Sequence, residues 1–219
     1  MVRSCLVKNT SAVNAIAVDP YVNTGEFIQF AIVGNQGLFN IYKFEVASSQ
    51  LQAFEVDNVS QEFLGTNFTT VTYSQLLNNQ GLYYIILGAN DGSMTAFDVN
   101  TYQFLDAGLK KWVISGEIAH CRVNNGQMVV ASSSGTIARF QTTLQQMFCT
   151  DAKQVQLFRA EGPVVALCMD DLNNEGLVGT AFGTLFYINF DDKLMIRVVS
   201  KPYSVQKPIT SVKFSEQNP

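Results

Sequence analysis

Phe68-Thr69-Thr70-Val71-Thr72-Tyr73-Ser74 carries apolar or aromatic side chains at its first, fourth and sixth places and closes on a small polar residue. The same spacing returns as Val13/Ile16/Val18-Asp19, Ile118/Cys121/Val123-Asn124, Val164/Leu167/Met169-Asp170 and Ile209/Val212/Phe214-Ser215, with starts 45–55 residues apart. Around these segments, short alternating runs such as Ile28-Gln29-Phe30-Ala31-Ile32-Val33 are broken by turn residues every ten or so positions. Alternation at period two with almost no 3.6-residue periodicity reads as β-strand. A repeat of roughly 40–50 residues made of four short strands is the sequence sign of a β-propeller. The five segments are then innermost strands, expected over 13–18, 68–73, 118–123, 164–169 and 209–214. Each would be wedged between neighbouring blades, which requires apolar side chains on both faces.

After each of the first four segments comes a hairpin signal ending in glycine: Gly34-Asn35-Gln36-Gly37, Gly88-Ala89-Asn90-Asp91-Gly92, Ser132-Ser133-Ser134-Gly135 and Gly179-Thr180-Ala181-Phe182-Gly183. Glycine reaches positive φ without steric cost, and tight turns between twisted strands need it. Gly37, Gly92, Gly135 and Gly183 are therefore placed at the turns between second and third strands. Five residues beyond each stands one bulky side chain, respectively Tyr42, Phe97, Phe140 and Ile188.

In these features the chain resembles the WD-repeat family, over nearly its whole length. Phe97-Asp98 is the nearest to a Trp-Asp pair, while Tyr42-Lys43, Phe140-Gln141 and Ile188-Asn189 are degenerate versions. The Gly-His pair that family members carry before the inner strand survives only as Gly116-Glu117 and Gly162-Pro163, which implies that the family's His/Asp network is absent. The expected fold is all-β, a WD-repeat-like propeller of about four complete blades plus strands of an incomplete fifth. Approximate blade limits are 9–60, 61–115, 116–160 and 161–207, with 1–8 and 208–219 in the incomplete blade. Arg3 to Val7 reads as an outer strand of that blade. Completion by a longer polypeptide, a partner or a neighbouring domain is expected, because open edges invite aggregation. A closed four-bladed ring, or an antiparallel sandwich or barrel with accidental repetition, is the alternative.

Composition narrows the function. Hydrophobic residues make up 47% and charged residues 15% of 219 residues, which excludes a disordered tail. A formal net charge of -4 gives no general attraction to nucleic acid or anionic lipid. Cys5, Cys121, Cys149 and Cys168 stand far apart without a C-x-x-C pair, so spacing defines neither a zinc site nor a disulfide framework. The first residues lack an apolar signal region, and no window approaches the ~18 apolar residues of a membrane span. A cytoplasmic protein is expected, with neither membrane nor nucleic acid among its partners. The N-x-[ST] matches at Asn9, Asn58 and Asn67 are then chance occurrences.

Catalytic signals are sparse. His120 is the single histidine, and Cys121 follows it within an inner strand. Adjacent strand residues point to opposite faces and cannot pair as nucleophile and base, so His120 is expected to bridge blades instead. Asp170-Asp171-Leu172-Asn173-Asn174-Glu175-Gly176 lacks calcium-loop spacing and reads as a solvated turn. No nucleophile elbow, phosphate loop, dinucleotide fingerprint or zinc-protease motif occurs. The chain is accordingly read as no enzyme, with no cofactor and no metal. Lys110, Lys111 and Trp112 combine charge with the single tryptophan and form the candidate interface, although a tryptophan packed under an outer strand reads the same way.

Two runs are similar in texture to WD-repeat proteins of cilia, flagella and centrioles: Phe30 to Phe39, and the sixteen residues from Glu175 to Phe190. That resemblance implies a non-catalytic protein-interaction scaffold in the axoneme, radial-spoke base or centriole, with axonemal subunits and tubulin as partners. Coat or ubiquitin-ligase adaptors and a propeller enzyme or ligand sensor with a channel site share the fold.

Overall fold

In the computed structural model, the described residues are 11–22, 25–54, 63, 65–75, 83–105, 111–124, 127–141, 154–170, 174–190, 195–200 and 207–213. Their strands fall into four antiparallel sheets. The first contains β1 (Val13–Val18), β2 (Phe27–Gly34), β3 (Phe39–Glu45) and β4 (Gln50–Phe54). The second contains β5 (Phe68–Gln75), β6 (Tyr83–Ala89), β7 (Ser93–Asp98), β8 (Gln103–Phe104) and β9 (Lys111–Trp112). The third runs β10 (Ile118–Asn124), β11 (Gln127–Ser132), β12 (Thr136–Gln141) and β13 (Gln154–Arg159). The fourth runs β14 (Val164–Met169), β15 (Glu175–Thr180), β16 (Leu185–Asn189) and β17 (Met195–Ser200). Strand order within each sheet follows chain order, so each is a meander whose first strand lies at one edge. The inner strands β1, β5, β10 and β14 start at the four expected positions.

Blades stack through alternate faces, as a period of two dictates. Ala31, Val33, Phe39 and Ile41 of the first blade pack on Phe68, Val71, Tyr73, Ile85, Leu87 and Phe97 of the second. The opposite face of the second, with Tyr84, Ile86, Met94 and Ala96, packs on Ile118, Cys121, Met128, Val130 and Phe140 of the third. Val129, Ala131 and Ile137 then meet Val164, Met169, Val178, Phe186 and Ile188 of the fourth. The bulky residues five places after the turn glycines, Tyr42, Phe97, Phe140 and Ile188, are all buried.

The turn glycines have φ of 75°, 81°, 90° and 81° at Gly37, Gly92, Gly135 and Gly183. A second constraint acts on three of them. The Gly37 N–H donates to Thr66 O, Gly92 O accepts from Val113 N, and Gly135 O accepts from Ala160 N. The turn of each blade is thereby tied to the segment that leads into the next. A Cβ on Gly92 would stand 2.0 Å from Ile114 O, and one on Gly135 would stand 2.7 Å from Gly162 O.

Three expectations need correction. First, burial on both faces describes β5, β14 and, apart from the exposed Arg122, β10, but not β1, where Val13, Ile16 and Val18 are 47%, 62% and 53% exposed. Their counterparts are covered by a preceding blade, and no described blade precedes β1. Second, the outer edge of the second blade is split: β8 and β9 pair with opposite ends of β7, through Phe97 and Asp98 on one side and Ser93 and Met94 on the other. Third, 207–213 is not a strand. Ile209 occupies the place of a fifth inner strand, since its N–H donates to Thr180 O at 3.1 Å and its side chain covers Gly179 much as Ile118 covers Gly88. No second strand is present beside it among the described residues, and a strand needs a ladder. Arg3 to Val7 lies outside the described residues.

Gly92→Ala should cost well over the roughly 1–3 kcal/mol of a strained φ, because the backbone carbonyl of Ile114 must also move. Gly65→Ala, at φ 82° with nothing within 4 Å of the added methyl, should cost only the conformational term. Urea unfolding of the two variants reads the difference, and equal costs would show that the approach to Ile114 O is not a constraint.

Candidate interaction site at the channel mouth

An inner strand is hydrogen-bonded on one side only, so part of its backbone faces the channel and must find other partners. All four inner strands carry a register irregularity at their second residue: Asn14, Thr69, Ala119 and Val165. A bulge leaves its residue out of the ladder and re-aims its side chain. Asn14 Nδ2 accordingly donates to Phe68 O, the first residue of the next inner strand, at 2.8 Å. Thr69 Oγ1 donates to Ile118 O, again the first residue of the next inner strand, at 2.5 Å. Ala119 has no donor to offer. There the neighbouring His120 stands near the backbone of Val165, the bulged residue of the fourth blade. Two polar rungs thus link the first three inner strands, and His120 stands between the third and the fourth.

His120 and Cys121 face different neighbours, as strand geometry requires. Cys121 is packed among second-blade residues, and burial pushes its thiol up to about 12. His120 turns toward the fourth blade, and burial lowers its pKa, with the nearby Arg122 adding to the effect and the Val165 backbone opposing it. The two do not form a nucleophile–base pair.

Asn14 and Thr69 stand at one end of the channel. An open cavity of about 560 Å³ there is lined by Val13, Asn14, Asn35, Asn67, Thr69, Asn90 and Glu117. Asn14 Nδ2 also donates to Asn35 Oδ1 at 2.8 Å, and Asn67 Oδ1 accepts from Gln36 N at 3.2 Å. The backbone completes the frame. Asn35 N donates to Ala12 O, Asn90 N to Asn67 O, Ser133 N to Glu117 O and Ala181 N to Pro163 O, one bond per blade at equivalent places. The mouth is held rigid while presenting carboxamides and one exposed carboxylate.

The other ends of the first and fourth inner strands are closed by carboxylate turns. Asp19, fully buried, accepts from Tyr21 N, Val22 N, Gln29 Nε2 and Tyr83 Oη at 2.8–3.3 Å. Burial and this carboxylate raise the Tyr83 phenol well above its ordinary value, and that of Tyr73 similarly. Asp170 repeats the device, its Oδ1 accepting from Asn174 N at 2.7 Å and Glu175 N at 3.0 Å. The acidic stretch is thus a capped turn at its described ends; 171–173 lie outside the described residues. Arg139 clamps the third blade to the fourth here, donating to Gln127 Oε1, Phe190 O and Asn174 Oδ1 at 2.5–3.1 Å.

Of the residues expected to form an interface, Lys111 and Trp112 form β9 at the rim of the second blade, and Lys110 lies outside the described residues, as do Asn9 and Asn58. The mouth residues were not singled out by sequence. Asparagine beside glycine reads as turn chemistry, and only the polar second residue of Val13-Asn14 and Phe68-Thr69 marks the rungs in phase.

The described residues form four successive blades of the β-propeller class. No family model matches the chain. It is 23% identical over 188 residues, 81% of its length, to WD repeat-containing protein 90 of Xenopus tropicalis, of which it spans 10%. In three dimensions it matches a chain in the crystal structure of the mitotic checkpoint complex with a TM-score of 0.58 at 12% identity, covering 96% of this chain and 60% of that one. These likenesses support the propeller fold.

The lowered pKa of His120 gives a pH dependence with a definite sign. The unfolded imidazole titrates near 6.5 and the folded one below it, so the unfolded state binds more protons as pH falls past 6.5. Stability should drop through that window and level off below the folded pKa. His120→Gln should remove this component, seen as a smaller change in unfolding midpoint between pH 7.5 and 5.5 than in the wild type. An unchanged pH dependence would contradict the assigned environment.

Proposed function

We propose that this chain is a non-catalytic scaffold that holds partner proteins at the channel mouth and along the blade rims, within a structural assembly of the cilium or flagellum. The observation that carries the scaffold reading is the mouth itself. Its side chains are spent on mutual positioning, and the groups left facing solvent are carboxamides and one carboxylate, suited to recognition. A concave site with a few fixed polar groups is a binding surface. The single histidine stands between the third and fourth blades, near the backbone of Val165.

The ciliary assignment, at the axoneme, radial-spoke base or centriole, is supported by the texture of Phe30 to Phe39 and Glu175 to Phe190. Axonemal subunits and tubulin are the partners that reading supplies. Lys110, Lys111 and Trp112 are proposed as a second contact, because basic and aromatic residues together anchor interfaces, and β9 sets two of them on the outer edge of a blade.

Pull-down with the purified chain from ciliary extract should recover axonemal or centriolar proteins. Joint replacement of Lys110, Lys111 and Trp112 by alanine should weaken one such contact by about 2 kcal/mol or more, as for anchor residues. Recovery of partners that belong only to coat or ubiquitin-ligase complexes would move the scaffold elsewhere. Turnover of a small molecule by the purified chain would overturn the scaffold reading.

A further inference from the structure

We propose that two copies of this chain close head to tail, the first blade of each seated on the fourth blade of the other. The inference goes beyond the scaffold reading and does not depend on it.

Every junction between described blades has the same build. The bulge at the second residue of an inner strand brings its first, fourth and sixth side chains to one face, toward the preceding blade. Phe68, Val71 and Tyr73 are buried there against the first blade, and Ile118 and Val164 hold the first place at the next two junctions. The receiving face is made by the middle strands of the preceding blade. Ile118 stands over Gly88, where an added Cβ would come within 2.8 Å of its side chain, and Ile86, Met94 and Ala96 around it are buried.

Two faces lack this cover. Val13, Ile16 and Val18 present the same three-residue pattern but are exposed, and Tyr21 extends the apolar stripe. At the other end of the stack, Leu177, Leu185 and Tyr187 of the fourth blade stand in the places of Ile86, Met94 and Ala96 and are only half-buried. Ile209 covers Gly179 between them, yet 207–213 is a poor substitute for a blade. Five of its seven residues are exposed, and among the described residues one backbone bond, from Ile209 N to Thr180 O, holds it to the fourth blade. The two faces are therefore the two halves of one junction. Val13 of a second copy matches the place that Ile209 holds, and it brings a whole sheet behind it. Apolar stabilisation grows with the area covered, so the exchange of a single segment for a blade is favourable. Pairing of the β1 stripe with itself would leave the fourth blade as uncovered as before. Head-to-tail contacts between identical copies close into a ring when the rotation permits. Four blades from each of two copies give eight, within the range that propellers adopt.

Sedimentation velocity of the whole chain over roughly 1 to 100 μM, where interfaces of modest strength associate, is the test. The wild type should pass from monomer to dimer and no further. Ile16→Asp, at an exposed place on the first blade, and Leu177→Asp, on the fourth, should each weaken the dimer by roughly ten-fold or more, since each would bury an unpaired carboxylate. An equimolar mixture of the two variants should recover a dimer through the one junction in which both faces are intact. Circular dichroism identifies which variants are folded, and Leu185→Asp reads the same face should Leu177→Asp unfold. Ile209→Ala should tighten the dimer, because it weakens the segment that competes for the seat. A wild type that stays monomeric or grows beyond a dimer would overturn the proposal. So would a dimer that Ile16→Asp breaks while both fourth-blade variants leave it intact, a mixture that stays monomeric, or a dimer that Ile209→Ala does not tighten.

Discussion

The interaction on which the molecule depends is the bond that runs from one inner strand to the next. Within each blade the middle strands are paired on both sides, whereas the first strand stands at a sheet edge with carbonyls directed at the channel. Asn14 and Thr69 meet that need from the neighbouring blade, at 2.8 Å to Phe68 O and at 2.5 Å to Ile118 O, and His120 stands near the backbone of Val165 at the next junction. The bulge at the second residue of every inner strand makes the arrangement possible, since a residue held in the ladder would direct its side chain elsewhere. Apolar packing supplies most of the cohesion between blades, being proportional to the area covered and indifferent to direction. The rungs add direction, because a hydrogen bond fixes which strand end stands beside which.

From that alignment the mouth follows. Once the first residues of successive inner strands are level, the residues just before them and the turns after each second strand come level too. One backbone bond per blade, such as Asn90 N to Asn67 O, locks the two sets together. Four asparagines and one glutamate then converge although they are more than a hundred positions apart at the extremes. The turn glycines serve the same end. Gly92 must let Ile114 O pass at a distance that no Cβ permits, so the approach to the third blade is fixed by the turn of the second.

The sequence made the blades legible because two independent periods agreed: apolar alternation within strands, and recurrence of the inner-strand pattern with a following glycine. Tyr42, Phe97, Phe140 and Ile188 were legible for the same reason, each lying a fixed distance from its glycine. The exposure of Val13, Ile16 and Val18 was not, because a strand's own residues do not state whether a neighbour covers it. Nor was the break between β8 and β9, since short outer strands carry little periodicity. Ile209 shows how far a pattern reaches: it marks the right place against Gly179, but a strand forms only where a partner strand stands beside it. The site was the least legible part. Asn35, Asn67 and Asn90 resemble ordinary turn residues, and their common purpose appears only when the fold sets them around one opening.

If the rungs couple the blades, weakening one should be felt on both sides of it. Residue-resolved native-state hydrogen exchange of the wild type and of Thr69→Val is the direct measurement. The substitution keeps the side chain's shape and removes the donor to Ile118 O, at a cost of about 1 kcal/mol for a net hydrogen bond, or roughly a five-fold faster exchange. The account predicts that amides of β5 to β7 and of β10 to β12 lose protection together and by the same factor. Loss confined to the neighbours of residue 69, or to the second blade alone, would contradict it.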